Sequence, residues 1–299
     1  MYRRLIPIFL TILLCVTAAD AQDMALSQVL IDGEDWTLIA EGYGFTEGPA
    51  ADRDGNVFFV DVPASKIYRI DAETKAVTLF AEDTGKASGL EFGADGKLYA
   101  CQMEAKQVVT YNAEGQATVI AHDIGVNDLV VDREGGVYVT DMGNQQVWYI
   151  PPGGEKRKVA EKFMPNGLTL WPDGKTLVVA DWQQPHLWTF RIDQGGDLKF
   201  GERYYGPVQV PPSEKMPGSD GMTVDDAGRL FVCTHAGLQM FDPIGRPCGA
   251  IAKPQRKFLS NVEFGGKEFN TLFVTSSDKV FARKVNTKGT PLMVRVTVK

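Results

Sequence analysis

Asp128-Leu-Val-Val-Asp-Arg-Glu-Gly-Gly-Val-Tyr-Val-Thr-Asp141 runs from an apolar stretch through a polar turn with glycine into a second β-rich stretch. The same pattern recurs in Gly48-Pro-Ala-Ala-Asp-Arg-Asp-Gly-Asn-Val-Phe-Phe-Val-Asp61 and in Gly89-Leu-Glu-Phe-Gly-Ala-Asp-Gly-Lys-Leu-Tyr-Ala100. It returns from Gly167 to Asp181, from Gly221 to Val232 and from Asn261 to Val274. The starts are separated by 41, 39, 39, 54 and 40 residues, so only the interval before Gly221 carries an insertion. Glycine stands at the same turn position in five units (Gly55, Gly96, Gly135, Gly174 and Gly228), where it supplies the positive φ of a tight hairpin. The sixth unit has Glu268 there, so its turn is expected to differ.

A third strand follows in each unit, as in Ile67-Tyr-Arg-Ile and Val147-Trp-Tyr-Ile, and a fourth closes several of them, as in Val77-Thr-Leu-Phe. Four antiparallel strands in about 40 residues is the content of one propeller blade. The spacing therefore predicts an all-β fold, a six-bladed β-propeller. Trp36-Thr-Leu-Ile-Ala40 reads as a lone strand ahead of the first unit, and is expected to complete the last blade and close the ring. Pro291 to Lys299 falls outside this scheme.

Arg3 and Arg4, an apolar run from Leu5 to Val16 and a small-residue site at Ala19-Asp20-Ala21 read as a cleaved signal peptide over residues 1–21. The expected mature protein, residues 22–299, is one propeller domain, secreted or periplasmic and free of the membrane after cleavage. Net charge is −7, and −8 once Arg3, Arg4 and Asp20 are removed. Such an acidic chain does not suit a phosphate backbone, so no nucleic-acid partner is expected. Cys101, Cys233 and Cys248 remain, an odd number without zinc spacing. They are expected to be free thiols, with a Cys233–Cys248 bridge as the alternative. No G-x-S-x-G elbow, P-loop or HExxH motif occurs.

The blade meander places the residue just before each repeat start around the top of the central channel. Those six positions hold Glu47, Ser88, Asn127, Asn166, Asp220 and Ser260. Singly, Asn or Asp at such a junction reads as a turn residue. Together, Glu47, Asn127, Asn166 and Asp220 give oxygen donors converging on one axis, which suits a hard cation. Ca²⁺ is the first expectation, with Mg²⁺, Mn²⁺ or Zn²⁺ as alternatives, zinc being the least suited to an all-oxygen set. Strand-two ends reach the same face and add Asp61, Asp141, Met142, Asp181, Trp182 and His235. Of these, Asp141 and His235 are the expected substrate contacts beside Asn127.

Thr46-Glu47-Gly48-Pro49, Val126-Asn127-Asp128, Pro165-Asn166-Gly167-Leu168 and Ser219-Asp220-Gly221-Met222 resemble the gluconolactonase, regucalcin (senescence marker protein) and luciferin-regenerating-enzyme family. The similarity runs from about Trp36 to Val285. It implies a six-bladed propeller with a divalent cation, commonly Ca²⁺, in its channel. By position it implies Glu47, Asn166 and Asp220 as metal ligands, Asn127 as a further ligand or substrate contact, and Asp220 as catalytic base. The vertebrate sugar-lactone enzymes of that family carry Arg where this chain has Gly125, and a substrate-contacting Glu near Gln145. The expected function is metal-dependent hydrolysis of a small-molecule lactone or related ester. Phosphotriester hydrolysis at the same site and a non-enzymatic, Ca²⁺-binding propeller are the alternatives.

Overall fold

The computed structural model describes residues 26–290. The expected signal peptide and the tail from Pro291 to Lys299 lie outside the described residues. Within them the chain forms six four-stranded antiparallel sheets. The inner strands, one per blade, are Thr46–Ala51, Ala87–Phe92, Leu129–Val131, Pro165–Leu170, Met222–Val224 and Asn261–Gly265. The ring closes as the sequence pattern predicts, with a displacement of one residue. Thr37–Glu41 pairs with Lys279–Lys284, while Trp36 turns its indole N–H to the Ala252 carbonyl at 2.8 Å.

Burial explains why second strands read as unbroken apolar runs. Val57–Asp61, Leu98–Gln102, Val137–Asp141 and Leu230–Thr234 are buried throughout, because each blade is covered on both faces. Fourth strands lie at the rim, and Leu198–Glu202 is largely exposed. Six apolar clusters fill the six seams between blades. Phe58 meets Phe92 at 5.0 Å across the first seam and Phe231 meets Phe264 at 5.6 Å across the fifth. Each such ring contributes roughly 1.5–3 kcal/mol by burial.

The repeated turn is a three-residue loop closed by a left-handed glycine. In the first blade the Gly55 N–H reaches the Asp52 carbonyl, φ at Gly55 is 80°, and Asp52 Oδ1 accepts the Asp54 and Asn56 N–H groups. The sixth turn does differ: it runs from Gly266 to Asn270 between the paired Gly265 and Thr271, with Phe269 in the left-handed region at φ 52°. The insertion ahead of Gly221 adds no strand. Tyr205 anchors it by accepting the Trp171 indole N–H at 2.7 Å, and its end delivers Ser219 and Asp220 to the axis. Cys101, Cys233 and Cys248 are free thiols, so the Cys233–Cys248 alternative is not formed.

Candidate active site

The glycines that start four repeats let neighbouring inner strands approach closely around the channel. A Cβ at Gly48 would stand 2.0 Å from the Ser88 carbonyl oxygen, and one at Gly167 would stand 2.3 Å from that of Asp220. Where the start residue is Asp128 or Asn261, its side chain lies over the glycine of the preceding blade. A Cβ at Gly89 would be 2.2 Å from Asp128 Oδ1, and one at Gly221 would be 1.9 Å from Asn261 Cγ.

This arrangement opens an axial cavity of about 330 Å³. Its polar floor holds Glu47, Ser88, Asn127, Asp128, Asn166 and Asp220. Ser260, the sixth position of the ring, is buried beside it and hydrogen-bonds Thr46, Thr275 and Glu47. A larger hollow of about 590 Å³ lies on the opposite face between the second and third blades, around Asp95, Arg133 and Pro152. It gathers no comparable set of acids and amides, which makes the axial cavity the candidate site.

Three acids on the floor sense one another. Glu47 is enclosed by protein while part of its surface faces the cavity. Burial pushes its carboxyl up to about 8; the Gly48 N–H at 2.9 Å opposes this and Asp128 adds to it. Asp128 is pushed up to about 7 by burial, against hydrogen bonds from the Leu129 N–H, Asn261 and Leu168. Burial, then Glu47 and Asp128, hold Asp220 well above the usual carboxylate range, while the Gly221 N–H and the Asn166 side chain pull it back. Asn261 ties two of the acids together, its Nδ2 donating to Glu47 Oε2 at 3.4 Å and to Asp128 Oδ2 at 3.5 Å.

Asn166 is 3% exposed and its Oδ1 has no hydrogen-bond partner. A buried amide oxygen without a partner costs about 1–3 kcal/mol. Clustered carboxylates with no Lys, Arg or His among the cavity-lining residues carry a further penalty. One divalent cation relieves both. Among the described residues no cluster of three or more His, Cys, Asp or Glu is arranged to hold a metal ion by itself. The set offered by Glu47, Asn166 and Asp220 is two carboxylates and an amide oxygen, which fits a hard cation completing its shell with water or substrate.

Asn127 lines the cavity, with its carbonyl accepting from Ser88 Oγ at 2.5 Å and from the Gly89 N–H at 3.1 Å. Asp141 is placed differently from the expected substrate contact. Its oxygens accept from the Asn144 side chain, the Gly125 N–H and the Trp148 indole, so it organises its own loop and does not line the cavity. Asp61 and Asp181 do the same in their blades. His235 sits behind the wall, edge-on to Trp182 at 6.1 Å and to Phe258 at 5.5 Å.

Sequence reasoning about the residue before each repeat start passed over the start residue itself. Asp128 and Asn261 form a second layer on the floor, and their signal was in the alignment, at the position where four units have glycine. It also passed over the full wall. One residue beyond each second strand stand Val62, Met103, Met142 and Trp182, all lining the cavity, followed in the same register by His235 and Ser277.

A six-bladed ring with an acid-and-amide floor on its axis defines the class of protein. The SMP-30/Gluconolactonase/LRE-like model matches residues 45–278, and the chain belongs to that family. It shares 26% identity with a gluconolactonase of Zymomonas mobilis, over 84% of this chain and 82% of that one. With the lactonase drp35 of Staphylococcus haemolyticus it shares 24%, over 76% and 75% of the two chains. Among solved structures, a gluconolactonase from Xanthomonas campestris superposes with a TM-score of 0.76 at 23% identity, covering 87% of this chain and 92% of that one. A regucalcin from Agrobacterium tumefaciens, described as a calcium-binding protein, superposes at 0.73 with 17% identity, covering 86% and 96%. At these identities the two structures speak for the fold.

Proposed function

We propose that this protein is a divalent-cation-dependent lactone hydrolase, exported by its N-terminal segment and working in the axial cavity. The observation that carries the reading is the unpaired buried Oδ1 of Asn166 meeting the Glu47 and Asp220 carboxylates on the cavity floor. The gluconolactonase and lactonase names of its relatives support the same reaction class.

Glu47, Asn166 and Asp220 would hold the cation, with Ca²⁺ the best match to their chemistry. When bound, it supplies polarisation of the lactone carbonyl, worth several kcal/mol. The chain's own residues do the rest. Asn127 orients the substrate from the side of the floor. Asp220 takes the proton of the attacking water as the new C–O bond forms, then returns it to the ring oxygen as the old bond breaks, leaving a hydroxy acid. Without the cation, burial and then the negative charges of Glu47 and Asp128 hold Asp220 above the ordinary carboxylate range. Asn261 orients Glu47 through its hydrogen bond to Oε2.

Lactone hydrolysis assayed with added Ca²⁺, and again with chelator under conditions where the fold persists, tests this reading. Activity is expected only with the cation. Turnover that survives complete removal of divalent metal would overturn it.

A further inference from the structure

We infer that the lactone this site takes carries an apolar substituent, and that a polyhydroxylated sugar lactone is a poor fit; this rests on the hydrolase reading above.

On the floor, the cation-facing oxygens of Glu47, Asn166 and Asp220 have a partner assigned. Asp128 accepts from the Leu129 N–H and from Leu168, and Ser88 Oγ donates to the Asn127 carbonyl. The Asn127 side chain is left for the substrate. Above the floor, the wall is made by Phe45, Val62, Met103, Met142, Trp182 and Phe258, from five of the six blades. Its polar capacity is two thioether sulfurs, which are weak acceptors, and one indole N–H. Gly125, two residues before Asn127, carries no side chain, and the Asp141 carboxylate fills the space one would take: a Cβ there would stand 2.6 Å from Asp141 Oδ1. Lys86, near the rim, is exposed and paired with Glu104 at 3.3 Å.

A sugar lactone presents a hydroxyl on nearly every ring carbon. Each hydroxyl desolvated against this wall without a partner weakens binding, whereas an alkyl chain gains affinity there. Two methionines give the wall adaptable shape, so tolerance of different chain shapes is expected. Trp182 meets the rings of His235 and of its wall neighbour Phe258 edge-on, at 6.1 and 5.7 Å.

The test compares kcat/KM at saturating Ca²⁺ for glucono-1,5-lactone and for γ- and δ-lactones bearing unbranched alkyl chains of increasing length. The alkyl lactones are expected to exceed the sugar lactone by at least tenfold. Their kcat/KM should climb by up to about fourfold per added methylene until the cavity is full. Trp182→Ala should flatten that dependence and Trp182→Phe should keep most of it; Met103→Ala serves if the alanine variant does not fold. A sugar lactone turned over as well as or better than the alkyl series, or no dependence on chain length, overturns this inference and leaves the hydrolase reading standing. No turnover of any lactone with Ca²⁺ present overturns both.

Discussion

The six residues before the repeat starts and the six just beyond the second strands are related by the same repeat, yet they have diverged in opposite senses. The first ring (Glu47, Ser88, Asn127, Asn166, Asp220, Ser260) is polar at every position. The second (Val62, Met103, Met142, Trp182, His235, Ser277) is apolar at four, and its histidine meets two aromatic rings edge-on. The inner ring stands on strands pressed together through glycine, where a donor set can be held to fractions of an ångström. The outer ring stands at loop starts, where size and shape can change without disturbing the floor. Under the function proposed above, reaction chemistry and substrate choice are written in two registers of one repeat.

The sharpest way to break this division is at the inner ring. Asp220→Asn should lower kcat by about 10²–10⁴-fold, measured with cation occupancy checked by calorimetry; near-normal turnover would remove Asp220 from proton transfer. Asn261→Ala touches the floor only through Glu47 and Asp128, and should weaken Ca²⁺ binding by about 10–100-fold, read by titration whether or not the variant is active. An unchanged affinity would show that Glu47 needs no support from the last blade. At the outer ring, Trp182→Ala should cost about tenfold in kcat/KM for an apolar lactone while Ca²⁺ affinity stays at the wild-type value. Loss of cation binding in that variant would mean the two rings are not separable.

Proton linkage sharpens the same contrast. In chelated protein Glu47 and Asp128 sit at about 8 and about 7, above their values in the unfolded chain, so the folded state binds protons more tightly. Their contribution to stability is therefore greatest at low pH and is lost as pH rises from 3.8 (the ordinary Asp128 value) to about 8. Melting of the chelated protein should fall across that window more steeply than melting of the Ca²⁺ form, and parallel curves would contradict it. The smallest effect is expected at Asp141→Asn, about 1 kcal/mol of stability from weakened loop hydrogen bonds with kcat/KM within twofold of wild type. A larger loss of activity would return Asp141 to the substrate.

The fold was legible because the hairpin glycine and the apolar runs recur in register, and the closing strand because Trp36 to Ala40 had no partner within its own unit. Glu47, Asn127 and Asn166 could be placed together for the same reason, being equivalent points of a ring. Asp128 and Asn261 could not, since their importance depends on the hollow left by Gly89 and Gly221 one blade earlier. That is a relation between repeats, hidden when each repeat is read alone. Asp141 and His235 were ambiguous because an acid or histidine ending a strand looks alike whether it faces a ligand or its own loop. Only the Asn144, Gly125 and Trp148 partners and the two aromatic neighbours distinguish the cases.

Closure of the ring by Thr37–Glu41 on Lys279–Lys284 has a consequence for biogenesis. Glu47 belongs to the first blade and its partner Asn261 to the last, 214 residues later. A nascent chain carries the acids of the floor from its first half onward, but the cradle exists only after the sixth blade has been made and docked. Under the cation reading proposed above, capture of the ion would act as a completion signal. A C-terminally truncated chain has the ligands without the site, whereas a circular permutant cut in an outer loop keeps both.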